Sequence, residues 1–116
     1  MNYLKFLKTL KKDLNLSNSK FKTVKFFRKN IVSAWVWYSV LEQYYRNNKN
    51  NIENIISEIP HEYASRPTIF KIIDDAVSKK YLKKIVNESD KRKYNLFPTS
   101  QTLKEFEEWA KVFKGF

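Results

Sequence analysis

Apolar positions recur along this chain first with helical spacing and later with a strand-like rhythm. Tyr3, Leu7, Leu10 and Leu14 follow steps of four, three and four, which predicts an amphipathic helix over 3–14 with Lys5, Lys8, Lys11 and Lys12 around its other faces. The Leu-Ser-Asn-Ser stretch at 16–19 is expected to break it. A second helical pattern begins near Phe21. Residues 31–46 are apolar on several sides, as a central helix packed by its neighbours requires. An Asn-rich turn at 47–51 ends that helix. Asn50 or Asn51 can cap the next, in which Ile52, Ile55, Ile56 and Ile59 share one face until Pro60 stops it.

After a connector at 61–64, Ser65 can cap a longer helix reaching to about residue 80, with Pro67 in the first turn where a missing N–H costs little. There Ile69, Ile72, Ile73, Ala76 and Val77 point inward. Arg66, Thr68, Lys71, Asp74, Asp75 and Ser78 are left facing water or a partner. Two short β-prone runs follow, 81–86 and 94–97, separated by a polar, cation-rich loop at 87–93. They predict a hairpin with a charged tip. Pro98 ends it, Thr99 or Ser100 caps a last helix, and Leu103, Phe106, Trp109, Ala110 and Phe113 form that helix's stripe. The fold class is therefore mostly α with a small β-hairpin. The order is that of a winged helix-turn-helix flanked by N- and C-terminal helices. One domain is expected, with basic N-terminal helices over 1–49, the helix-turn-helix and wing over 50–99, and a C-terminal helix over 100–116.

Composition narrows the chemistry. The 116 residues suit one small domain, and 42% hydrophobic with 16% aromatic residues supports a real core. The chain has no cysteine, so thiolate zinc sites and Cys nucleophiles cannot be built, and its one histidine, His61, makes a His-based metal site or a catalytic triad hard to build. Gly115 is the only glycine, which excludes Gly-rich phosphate loops and leaves positive-φ turns to Asn, Asp or Ser. Neither a nucleophile beside a base nor paired carboxylates facing a cleft can be found, so a non-enzyme without cofactor or metal is expected. The longest apolar run, Ile31 to Leu41, is far below the ~18 to 20 residues of a bilayer span. Basic residues precede it, as in a secretory signal, but its late start and the wet sequence after it point to a buried helix in a cytoplasmic protein.

The charge is uneven. Lys and Arg number 23 against 12 acids, for a net +11, and residues 1–29 hold nine cations with Asp13 alone opposing them. That quarter carries most of the attraction toward any polyanion.

Ser65-Arg66-Pro67-Thr68-Ile69-Phe70-Lys71-Ile72-Ile73-Asp74, then Asp90-Lys91-Arg92 and Leu96-Phe97-Pro98-Thr99, resemble the recognition helix, wing Asp-x-Arg and post-wing threonine of the MarR family of transcriptional regulators. The resemblance covers about residues 50–110. It implies that Ser65, Arg66, Thr68, Phe70 and Lys71 face DNA in the major groove, that Arg92 probes the minor groove, and that Asp90 braces it. Lys83, Lys84, Lys91 and Lys93 would add phosphate contacts that fix register without reading sequence. The chain departs from the family pattern in a longer 60–64 connector, in Tyr81 where a glycine usually precedes the wing, and in its shortness. The partners implied are double-stranded DNA and a second copy of the chain. A small-molecule effector in an aromatic cavity between the N-terminal helices and the DNA-binding core is allowed, although no residue pattern specifies one.

Other readings stand beside this one. Phe70 could be core, and Asp90 with Arg92 an ordinary surface pair. Asp74 and Asp75 would orient a neighbouring cation rather than bind metal. Trp35, Trp37 and Tyr38 suit a core or an interface. Phe106, Trp109, Phe113 and Phe116 offer more aromatic surface than one short helix buries, which suggests a contact with helix 3–14 of another copy. A winged helix can also serve as a protein-interaction or assembly module, and the Lys-rich segment 1–29 could lie on anionic lipid.

Overall fold

Side-chain caps set where most of the helices begin. The computed structural model describes residues 2–47 and 51–113. The elements are α1 (Tyr3–Ser19), α2 (Lys22–Phe27), α3 (Ile31–Tyr45), α4 (Ile52–Glu58), α5 (Arg66–Ser78), β1 (Leu82–Val86), β2 (Tyr94–Pro98) and α6 (Ser100–Ala110), closed by a 3-10 turn, Lys111–Phe113. Asn30, Asn51, Ser65 and Thr99 each accept a hydrogen bond from the backbone N–H three residues on, opening α3, α4, α5 and α6. Each such cap contributes about 1 kcal/mol. The Asn-rich turn divides here: Asn51 caps α4, while residues 48–50 lie outside the described residues. α2 has no cap of its own. Glu105 of α6 supplies one from outside, accepting from Thr23 N and Thr23 Oγ1 at 2.9 Å each.

One cluster forms the core, drawing Val24 and Phe27 from α2, Val36, Trp37 and Val40 from α3, the four isoleucines of the α4 segment, Ile69, Ile72, Ile73 and Ala76 from α5, and Leu82 and Leu96 from the hairpin. Trp37 is fully buried at its centre. Its ring stacks on Phe27 at 6.0 Å and meets Phe106 edge-on at 5.7 Å and Trp109 at 5.4 Å. Phe113 in turn meets Trp109 at 5.1 Å. The surplus aromatic surface expected on the last helix is thus absorbed largely within the chain, except that Phe116 lies outside the described residues.

Two expectations are corrected. The helix predicted over 3–14 runs on to Ser19. Residues 16–19 contain neither glycine nor proline, and Ser or Asn inside a helix costs only a few tenths of a kcal/mol, too little to stop one. Positive-φ turns were expected at Asn, Asp or Ser, and Asn47 (φ 58°) conforms, but the second is Lys80 (φ 64°). Lys80 closes α5: its N–H donates to Val77 O at 3.0 Å while Tyr81 N–H reaches back to Ala76 O at 2.8 Å. These paired bonds, with the Tyr81 ring seated 5.3 Å from Phe26, offset the roughly 1 kcal/mol that a left-handed lysine costs. The turn before the wing is therefore made without the family's glycine.

The two strands pair antiparallel in register Leu82↔Pro98 through Val86↔Tyr94. Asn51, at the head of α4, adds an isolated bridge to Asn95, so the hairpin is tied to the helix that precedes α5. No helix among the described residues is long and apolar enough to cross a membrane.

Candidate nucleic-acid interface

The tip of the hairpin is a built structure. Asn87 Oδ1 accepts from Ser89 N at 2.9 Å and from Asp90 N at 3.1 Å, turning the chain, and its Nδ2 donates to the buried Asn95 at 3.3 Å. Asn87 N and Lys93 O close the loop at 2.9 Å. This places Asp90 to receive three bonds from Arg92: the backbone N at 3.1 Å, Nε at 3.2 Å and Nη2 at 3.4 Å. The Arg92 guanidinium and its backbone N–H hold the Asp90 carboxyl below the usual carboxylate range. Asp90 is half-buried, whereas the Arg92 side chain is 89% exposed. The guanidinium is held by Asp90 through Nε and Nη2 while the side chain stays exposed to solvent.

α5 keeps one face committed and one open. Ile69, Ile72, Ile73 and Ala76 are buried, while Arg66, Thr68, Lys71, Asp74, Asp75 and Ser78 are exposed. Ser65 Oγ, besides capping the helix, lies 3.0 Å from Thr68 Oγ1. Arg66, the first helical residue, pairs through Nη2 with Glu53 Oε1 of α4. Its guanidinium also sits 5.1 Å from the centre of the Phe70 ring. Phe70 is half-buried against the core, which fixes the plate on which Arg66 rests.

One ion pair ties the helix to the hairpin. Asp74 of α5 accepts from Lys84 of β1 at 3.3 Å, and Lys84 lies 5.5 Å over the Tyr94 ring of β2. Glu53 is held below the usual carboxylate range first by its hydrogen bond from Arg66, partly opposed by desolvation, with further help from the charges of Arg66 and of Lys93 in the hairpin. One carboxylate therefore answers to cations from both elements. Lys71 of α5, Lys83 of β1, and Lys91 and Lys93 of the hairpin loop are exposed.

This arrangement of helices and hairpin is similar to that of S. aureus MepR, solved as a complex with DNA (TM-score 0.63, 14% identity, 96% of this chain and 81% of that one) and bound to ethidium bromide (0.62, 14%, 97% and 75%). It is also similar to a MarR protein from Peptoclostridium difficile (0.55, 24%, 96% and 67%). The chain has the winged-helix fold of the MarR regulators. No protein-family model matches the sequence, and no curated protein is significantly similar to it.

Within that MarR-type fold, the residues singled out from the sequence fall into three groups. Ser65, Arg66, Thr68, Lys71, Lys83, Lys91, Arg92 and Lys93 are exposed on α5, the hairpin and its tip. Phe70 and Asp90 are half-buried, Phe70 under the Arg66 guanidinium and Asp90 bonded to Arg92. Lys84 is exposed yet engaged by Asp74, one of the two aspartates expected to orient a neighbouring cation. Among the described residues no group of three metal-ligating side chains exists. Glu53, Asn87 and Asn95 were not foreseen. Glu53 lies 13 residues from Arg66, and only an acid in the first turn of α4 hinted at it. Between α1, α2 and the α5–β1 junction lies a groove of about 800 Å³, where an aromatic cavity was allowed. Leu14, Phe26 and Tyr81 line it together with five cations.

Proposed function

We propose that this chain is a sequence-specific, double-stranded DNA-binding transcription regulator, with the N-terminal half of α5 in the major groove and Arg92 in the adjacent minor groove. The observation that carries the reading is the open face of α5 tied by Asp74–Lys84 to a hairpin whose tip holds an outward arginine on a braced aspartate. A guanidinium can fork onto guanine O6 and N7, or enter a narrow, strongly negative minor groove. The likeness to MepR, a protein solved on DNA, supports the same orientation. Ser65, Thr68 and Lys71 would meet base edges or phosphates beside Arg66, while Lys83, Lys84, Lys91 and Lys93 would neutralise phosphates.

Anisotropy titration against duplexes selected from a randomised pool, repeated at several salt concentrations, tests this. An enriched sequence is expected, and log Kd should rise linearly with log salt at roughly 0.9 per phosphate contacted. No enrichment with a flat salt response would refute DNA reading and leave the surface to protein contacts.

The reading includes a homodimer. Tyr3, Leu4, Leu7 and Leu14 of α1 are exposed by 57 to 71%, an apolar stripe that a monomeric soluble protein rarely leaves uncovered. The docked face of α1 is instead the one carrying Asp13. A second copy covering the stripe would set two α5 helices about one DNA turn apart. Leu7→Lys is expected to shift sedimentation to the monomer and weaken binding to a two-half-site duplex while sparing a single half-site. A wild-type chain that sediments as a monomer at all concentrations would refute the dimer.

A further inference from the structure

An acidic side chain on a surface that meets DNA repels phosphate, so its presence there calls for a compensating role. Glu53 is such a residue. It lies exposed in the first turn of α4, beside the buried Ile52, Ile55 and Ile56, and its carboxylate engages Arg66 at the start of α5. Arg66 is held from a second side by the Phe70 ring, 5.1 Å away, which the core keeps in place. A guanidinium has five N–H donors. Glu53 takes Nη2, and the fork keeps further donors for an acceptor pair on a base.

We infer that Glu53 is a specificity-determining positioning residue: with Phe70 it fixes the Arg66 guanidinium in advance for a bidentate acceptor pair on a guanine edge. This rests on the DNA-reading role proposed above and goes beyond it in naming which arginine reads a base and what aims it. The physical gain comes from entropy. A mobile arginine surrenders rotamer freedom when it binds, whereas one already clamped between a carboxylate and a ring surrenders less. The cost is paid in general affinity, because the carboxylate disfavours every phosphate backbone equally. Affinity for all sequences falls a little and discrimination between them rises.

The test compares wild type with Glu53→Gln, Arg66→Ala and the double variant, on a duplex selected from a randomised pool and on a scrambled duplex of equal length. Glu53→Gln is expected to tighten binding to the scrambled duplex about twofold, since an anion is lost. It should reduce the ratio of specific to scrambled affinity about tenfold and relax the guanine preference at one position per half-site. In the Arg66→Ala background the same change should no longer alter the ratio. Arg66→Lys, which keeps the charge but not the fork, should lose the same guanine preference. Thermal melting of each variant separates loss of reading from loss of fold. If Glu53→Gln raises both affinities together and leaves the ratio unchanged, or lowers the ratio equally with and without Arg66, the inference fails. Wild-type protein selecting no sequence at all would be a different failure, that of DNA reading itself.

Discussion

Arg92→Ala is expected to weaken binding to a selected duplex roughly ten- to a hundredfold, with the melting temperature essentially unchanged. The two halves of that expectation come from the same geometry. The side chain is 89% exposed, so its removal opens no cavity and strands no buried group. Its partner Asp90 keeps its backbone bond from residue 92 and its own N–H on Asn87, so the tip retains its shape. What disappears is a cation held outward in one orientation, the form in which arginine is useful in a narrow groove. Asp90→Asn separates aiming from charge. It leaves Arg92 in place and adds one unit of positive charge to the tip, which favours phosphate in general. Specific binding should nevertheless weaken several-fold, because the amide cannot hold the guanidinium through two oxygens. If Arg92→Ala binds as tightly as wild type, the hairpin tip has no part in reading DNA. If Asp90→Asn binds more tightly to specific and scrambled duplexes alike, the brace is ordinary surface electrostatics.

These expectations show which parts of the interface the sequence made legible. Asp90 and Arg92 are two residues apart in a loop framed by β-prone runs, so their pairing follows from local turn chemistry and could be read directly. The same holds for Ser65 and Thr68, three residues apart at a helix start, and for the alternation of buried isoleucines with exposed polar residues along α5. Contacts between elements were not legible. Glu53 to Arg66 spans 13 residues, Lys84 to Asp74 ten, and Thr23 to Glu105 82. No period or motif links such positions, because the register in which two helices dock depends on the whole core. Phe70 illustrates the limit: helical spacing alone could not decide between core and groove, and the structure packs one side of it on the core and sets the Arg66 guanidinium over its ring. Lys80 shows the opposite case, where a rule about turn residues was sound on average. Tertiary contacts of Tyr81 overrode it.

Asp13→Ala is expected to cost about 3 kcal/mol of folding stability, or some 10–15 °C in Tm by calorimetry. In the sequence Asp13 is merely the one acid among nine cations of the first 29 residues. In the fold its side chain is only 4% exposed and joins three elements. Arg28, at the end of α2, donates through Nη1 to both carboxylate oxygens at 2.8 and 3.0 Å, and the Trp109 indole N–H of α6 donates to Oδ1. Arg28 also lies 5.3 Å over the Trp109 ring. Removing the carboxylate therefore takes the acceptor from a part-buried indole and leaves a part-buried guanidinium facing it. Because Arg28 is one-third exposed and can turn to water, the loss should sit at the low end of the range for broken buried pairs. Asp13→Asn, which still accepts from Trp109 but carries no charge, should lose about half as much. The consequence reaches the interface through α1. In the proposed dimer a second copy covers the apolar stripe of α1 while Asp13 helps to hold that helix against α2 and α6, so Asp13→Ala should also reduce dimer affinity though it touches no residue of the stripe. A Tm within about 2 °C of wild type, or a destabilised variant that dimerises normally, would mean that α1 is held by other contacts and that Asp13 is not what orients the stripe.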